Sequence, residues 1–537
     1  MKTALTLQQF KKCIISFIVG IACSTLAYVI YVVDPVRVIM EYNMQMRPNS
    51  FIFTLWKKPP LDVYINVYVF NLTNPVEFLN GKEKLKIQEI GPYVYQEILE
   101  NINITFNDNG TLTFMPNRKI VFIPEMSISD PIEDFVHVPN VPLLGISSTL
   151  HDAGFLVNYP LTRLANMLDS KPILNISVYD YLWGYEDTMV TLASGILPNF
   201  INFKKFGLMD RMYDEGENIV TMHVQKNVDM KNEKGRYFSI DKYNGSPGLA
   251  QWGYIDTEDN KTREKNTVCN TLQGATESLL FPPNLDKSAV FRLFRKAFCR
   301  PLPIIFRKEV ETYGLSGYYY TLKDDFADPA ELNPDNKCYC RNNICLKKGL
   351  MDLTPCYYKI PAAVSLPHFL NADPSLLEDI DGLSPSMEKH KSYLIVQPTL
   401  GIPLYAHSRM QTNLVMQHTR YNSKITPFNG KVIPLFWFDV SFTKMPTSLL
   451  IIIKLVVQIL PIAQIMLTCL LGIVGVTAIA WSLGNTLKLI KEQRQKQQEV
   501  PGHVESDIKM PLYNGQHASI SILPTISKIT STTDLFS

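Results

Sequence analysis

The chain lacks a charge bias. Its 52 Lys and Arg stand against 50 Asp and Glu, a net of +2 over 537 residues. Nucleic-acid binders draw affinity from concentrated positive charge, so that class of partner is not expected. Signatures of common catalytic sites are missing too. Gly314-Leu315-Ser316-Gly317 has the wrong spacing for a nucleophile elbow, and no Gly-x-Ser-x-Gly occurs elsewhere. There is no His-Glu-x-x-His helix and no glycine-rich phosphate loop. The nine histidines are scattered, none at ligand spacing from another. No catalytic residue, metal or cofactor is expected, and the protein reads as a non-enzyme.

Two stretches lack charge altogether. The first, Cys13–Val33, lies between Lys12 and Asp34. As a helix it spans about 30 Å, the thickness of a bilayer core. Lys2, Lys11 and Lys12 precede it, so the positive-inside rule places the N-terminus in the cytosol. A cleaved signal peptide would be shorter and end in small residues, whereas Tyr28, Ile30, Tyr31 and Val32 stand here. The second stretch, Leu455–Leu487, contains Pro461, expected to part a lead-in from a span near 462–483. Lys488, Lys491, Arg494 and Lys496 follow, again on the cytosolic side. The expected order is a tail at 1–12, a span at 13–33 and an external domain at 34–454. A pre-membrane segment with the second span follows at 455–487, then a polar cytosolic tail at 488–537.

The external domain carries Asn-x-Ser/Thr acceptors at Asn71, Asn103, Asn109, Asn175, Asn244 and Asn260. Six of the nine cysteines cluster between 269 and 356: Cys269, Cys299, Cys338, Cys340, Cys345 and Cys356. In an oxidising compartment such a set reads as a disulfide framework. Zinc ligation is the weaker reading, because the paired spacing of zinc ribbons is not repeated. Six cysteines allow about fifteen connectivities, and spacing does not choose among them. Cys13, at the cytosolic edge of the first span, is a palmitoylation candidate.

Period-two alternation over Leu61–Val69 predicts a strand with one buried face. Tyr93–Ile104, Thr111–Phe114 and Lys119–Ile123 continue a meander, with Asn109-Gly110 as a hairpin turn. Helical spacing appears over Pro160–Ser170, and Ser177 is placed to cap a second helix running through Met189. Strands resume over 219–228, 236–240 and 252–256. Lys287–Phe298 reads as an amphipathic helix, with Val290, Phe291, Phe294 and Phe298 on one side. Further strands are expected over 318–322, 391–396, 401–408, 411–418 and 432–440. No internal repeat or low-complexity linker interrupts the domain.

Several motifs are more specific. Leu182-Trp183-Gly184-Tyr185, Phe281-Pro282-Pro283, Cys299-Arg300 and Asn333-Pro334-Asp335-Asn336-Lys337-Cys338-Tyr339-Cys340 occur in that order. Ser365-Leu366-Pro367-His368-Phe369-Leu370 and Ile380-Asp381-Gly382-Leu383 follow. In these the chain resembles the class B scavenger receptor family from the first span to the second. The resemblance implies a two-span membrane protein with a large, mainly antiparallel β ectodomain, barrel-like and crossed by an apolar tunnel. A helical bundle within about 147–211 caps it. The resemblance also implies the pairs Cys269–Cys338, Cys299–Cys356 and Cys340–Cys345. It points to Phe155, Arg163 and Lys171 as ligand candidates on the cap, with Leu156, Lys204, Lys205 and Arg211 nearby. A lysine pair found between the cap helices of some members is reduced to Lys171, which weakens the case for oxidised lipoprotein.

The implied partners are fatty acids, sterols, carotenoids or phospholipids and lipoprotein-like particles, and a homo-oligomer is allowed. A receptor passing lipid to the plasma membrane is the leading expectation. The alternatives are an endosomal or lysosomal sorting receptor for a soluble enzyme, or a phagocytic or adhesion receptor without lipid transport. The tail's Asp507-Ile508-Lys509-Met510-Pro511-Leu512 is a degraded sorting signal, because Pro511 takes the first leucine position.

Overall fold

The computed structural model describes residues 2–196, 201–213, 218–225, 236–257, 259, 264–277 and 279–498. Residues 30–467 form one compact unit; the described parts of 1–29 and 468–537 form another.

The smaller unit is a pair of packed helices, belonging to Lys2–Val33 and Leu460–Gln498. Small residues let the backbones approach: a Cβ on Gly20 would meet the Gly475 carbonyl oxygen at 2.9 Å. Ser482 Oγ donates to the Cys13 carbonyl at 2.7 Å, and Ser16 Oγ to that of Ala478 at 3.3 Å. In hydrocarbon such polar side chains need partners of this kind. Cys13 is only 3 % exposed. Acylation there loses its access, and Cys469 is the exposed thiol of this unit.

The larger unit is built on a 14-stranded sheet. Its main path runs Phe291–Phe294, Pro301–Thr312, Leu315–Leu322, Tyr393–Gln397, Ile402–Val415, Val432–Phe442, Val63–Leu72, Leu85–Phe106, Thr111–Phe122, Val220–His223 and Ile240–Tyr243. Neighbours along the path are antiparallel. The two edges approach across residues 274–276. Ile240 N donates to Ala275 O at 2.7 Å, while Thr276 N donates to Arg292 O at 2.8 Å. The sheet thereby curls into a barrel-like form that leaves little open edge.

Most expected strands appear, some longer than expected: 401–408 and 411–418 are one strand, Ile402–Val415. Two readings are corrected. Residues 287–298 are not a helix but the strand Phe291–Phe294 and a single 3-10 turn. Phe291 packs into one core cluster and Phe294 into another, so both faces are buried and the aromatic spacing mimicked a helix. Residues 252–256 form no strand; Ala250–Trp252 is a 3-10 turn whose indole donates to Cys299 O at 2.7 Å. Of the strand expected over 219–228, residues 226–228 lie outside the described residues. Pro461 does not break its helix. A wide π turn at Leu455–Ile459 precedes it, closed by Leu460 N on Leu455 O, and Pro461 falls in the first turn of Leu460–Gln498, where a proline is tolerated.

Cys269 is paired with Cys338, Cys299 with Cys356, and Cys340 with Cys345. Arg300 lies among them, its guanidinium 3.7 Å from the centre of the Tyr339 ring. Burial brings its pKa down to about 10. The Tyr339 hydroxyl donates to Cys269 O at 2.6 Å. The larger bridges span 69 and 57 residues, the small one 5. Loop-closure entropy gives roughly 4 kcal/mol for each large bridge and about 2 for the small one. Replacing Cys299 and Cys356 together by Ser is expected to lower the thermal midpoint clearly more than the Cys340→Ser/Cys345→Ser pair does. Thermal unfolding of the purified full-length variants checks the order.

Candidate functional site

The sheet encloses a cavity of about 190 Å³. Its wall is mostly apolar, with Leu99, Leu293, Leu302, Leu394, Met410 and Val440 among the contributors. These are inward positions of alternating strands. One patch breaks the pattern. Glu97 sits in phase with Leu99 on Leu85–Phe106, and Arg118 on Thr111–Phe122 lies across from Leu99, diagonal to Glu97. Arg295 follows the strand Phe291–Phe294. Glu97 Oε1 lies 2.8 Å from Arg118 Nε and 2.7 Å from Arg295 Nη2. Burial pulls the Glu97 carboxyl upward, but the two guanidiniums outweigh it and hold it below the ordinary value. Among the described residues Glu97 Oε2 has no hydrogen-bond partner, and neither has the hydroxyl of Tyr320 on the same wall.

Two smaller cavities continue the space. One of about 20 Å³ shares Arg295, Phe298 and Val440 with the first. Another of about 40 Å³ shares Met212 with the second and reaches Val141, Phe206 and Leu208 at the base of the helices.

Those helices are Val141–Thr149, Phe155–Met167, Val178–Trp183, Thr188–Ile196 and Leu208–Tyr213. Ser177 Oγ accepts from Asp180 N at 3.1 Å, the cap its sequence position suggests, but the helix stops at Trp183 before Gly184 at φ 137°, and Met189 belongs to the next one. Phe155–Met167 starts ahead of Pro160, and this adds an exposed apolar face. Phe155 is 55 % exposed, Leu156 86 % and Met167 84 %. Phe155 stacks on Tyr159 at 5.0 Å and meets Tyr421 edge-on at 5.8 Å. The basic candidates are exposed as well, each beside a loose partner. Arg163 leans over Tyr159 at 6.0 Å, Lys171 lies 3.9 Å from Asp169, and Lys205 lies 3.9 Å from Glu186. The exposed character of the cap is mainly aromatic and apolar. Sequence reasoning missed Tyr159, Met167 and Tyr421, and missed the ionic patch within the cavity.

Asn103, Asn109, Asn175 and Asn244 are exposed. Asn71 is half-buried and accepts from His137 N at 2.8 Å. Asn260 lies outside the described residues.

Histidines scattered in sequence meet in space. His368 and His390 stack at 4.4 Å beside Glu89 and Trp437. Ligand atoms of Glu89, His368 and His390 fall within 4.8 Å of one another, a spacing that suits a metal ion. The hydrogen bonds decide against it. Nδ1 of His368 accepts from Ser384 N, and Nδ1 of His390 from Ser386 N, each at 3.0 Å. In the neutral rings the hydrogens are then on Nε2, and that of His368 is directed at Glu89 Oε2, 2.6 Å away. Ligating a cation would require both rings to change tautomer and surrender these bonds.

The CD36 family pattern matches residues 14–486. The chain belongs to the CD36 family. Among its relatives, scavenger receptor class B member 1 of Rattus norvegicus is 28 % identical over 427 residues, 79 % of each chain. Lysosome membrane protein 2 of Mus musculus is 29 % identical over 386 residues, 70 % of this chain and 73 % of its own. The human protein of that name is 28 % identical over 385 residues. In this CD36 family member the match takes in both candidate spans and the whole barrel-like unit. Membership identifies a two-span membrane protein of the scavenger-receptor type.

The histidine pair carries a pH dependence. Burial and the neighbouring His368 lower the His390 pKa to about 4, against the opposing pull of Glu89. The unfolded chain takes up this proton near pH 6.5. Stability from His390 is therefore complete above about pH 6.5 and falls as the pH drops toward 4. Protonation also converts Nδ1 from an acceptor into a donor facing Ser386 N. Thermal midpoints measured from pH 7 to 4 are expected to fall, and His390→Gln is expected to flatten the profile.

Proposed function

We propose that this protein is a non-enzymatic receptor that docks lipid-bearing particles on its apolar cap and admits lipid into the sheet cavity. The observation carrying the reading is the row of three cavities with shared walls, from the base of the helices to the barrel interior. Met212 stands between two of them, and an unbranched thioether side chain yields easily to a passing chain. The exposed Phe155, Leu156 and Tyr159 offer non-directional apolar contact to a lipid surface. Candidate cargo comprises fatty acids, sterols, carotenoids and phospholipids, delivered at the plasma membrane.

In cells expressing Met212→Trp, uptake of a radiolabelled sterol ester from lipoprotein particles is expected to fall about tenfold, with particle binding retained. Phe155→Ser with Leu156→Ser is expected to reduce particle binding itself. Uptake unchanged in Met212→Trp rejects the path. A sorting role is the second reading, favoured by the similarity to lysosome membrane protein 2. Surface staining unchanged on deletion of 499–537 rejects it.

A further inference from the structure

The polar patch inside the cavity has a definite chemistry. Four carboxylate or guanidinium side chains line it: Glu97, Glu277, Arg118 and Arg295. Two negative and two positive charges cancel, so the cavity has no surplus cation for an anionic headgroup. Both guanidiniums converge on Glu97 Oε1. They are already committed to a carboxylate that the chain itself supplies. The other oxygen, Oε2, is buried and has no partner among the described residues. An ionised carboxylate oxygen only accepts, so it calls for a donor. The Tyr320 hydroxyl on the same wall is unpartnered as well and either donates or accepts. Most of the remaining wall is apolar, with Thr321, Ser392, Tyr393, His407, Ser408 and Ser441 as its other polar members.

Resting on the lipid-cavity reading above, we infer that the cavity selects amphiphiles whose polar end is an uncharged hydroxyl, held by Glu97 Oε2, and discriminates against fatty-acid anions. A hydroxyl brought there donates to Glu97 Oε2. A carboxylate in the same place sets two anions together in a low-dielectric wall, and its only cations are already engaged. Long-chain alcohols, sterols and hydroxylated polyenes fit; free fatty acids at neutral pH do not. Glu97 acts here as a specificity residue, not as a bulk contact.

The test uses purified full-length protein in lipid nanodiscs at neutral pH. Three probes share one chain: hexadecan-1-ol, hexadecanoate and methyl hexadecanoate, each competing against a radiolabelled alcohol. The alcohol is expected to bind about tenfold more tightly than the acid. The ester, neutral but without a donor, is expected to group with the acid. Glu97→Gln removes the negative charge and frees the two arginines, so its alcohol-to-acid ratio is expected to reverse. The acid or the ester binding as tightly as the alcohol to the unaltered protein overturns the inference and leaves the lipid-cavity reading standing. So does an unchanged ratio in a folded Glu97→Gln protein. No binding of any of the three overturns both. The comparison on unaltered protein needs no variant, so a misfolded Glu97→Gln does not block the decision.

Discussion

Val63–Leu72 and Val432–Phe442 lie at opposite ends of the external chain, yet they pair antiparallel from Tyr64 with Ser441 to Val69 with Phe436. Every other strand of the main path is laid outward from this seam, on one side from 402 back to 291, on the other from 85 on to 243. The seam brings the two ends of the larger unit together. Gln464, downstream of the last strand, bonds Asp34 and the Val36 amide near the first, each at 2.9 Å. A contact of such sequence separation forms only after a large loss of chain entropy. The cysteine bridges lower that loss, since they close loops within 269–356 before the seam is complete. They act on the scaffold and stand apart from the cap.

A sheet closed in this way has an inside, and an inside must be filled or left empty. Here the cavity wall is largely Leu, Val, Met and Phe, and its charged patch is where Glu97, Arg118 and Arg295 meet. Replacing them by aliphatic residues would serve stability at least as well, because buried ion groups cost more to desolvate than hydrophobic residues of similar volume. A charged patch kept in the wall of an otherwise apolar cavity therefore asks for a role beyond folding. The histidine pair at Glu89 is a different case. Its hydrogen bonds are satisfied from the backbone and from Trp437, and its effect is on stability.

Much of the barrel was readable in the sequence. Alternation is a direct consequence of a pleated strand with one dry face, and it located Val63–Leu72 to within a few residues. Ser177 announced its helix because an oxygen there meets an orphan N–H. What failed did so for physical reasons. Phe291 and Phe294 face opposite sides of a strand buried on both, a pattern with no period-two signature. Pro160 suits a helix start because its ring fits the first turn, so the turn before it, 155–159, is not legible as helix, although Phe155 and Leu156 stand among the cap candidates. The disulfide pairs came from resemblance alone. His368 with His390, and Glu97 with its arginines, join residues far apart in sequence. Only a clue survives in the chain itself: Glu97 is a charge in phase with the inward-facing Tyr95 and Leu99.

In the proposed receptor, cap and cavity divide the work of recognition along the lines of their forces. Apolar contact is non-directional and grows with area, so Phe155, Leu156 and Met167 favour any lipid-coated surface and distinguish poorly among them. Hydrogen bonding in a dry wall is directional and punishes mismatch, so a few polar atoms suffice to rank cargo by headgroup. A receptor that met particles through charge would lose affinity as salt rose. With Lys171 and Lys205 set beside acids and Arg163 over an aromatic ring, this cap concentrates little net positive charge. Docking at such a cap persists at physiological ionic strength, and selectivity is left to the interior.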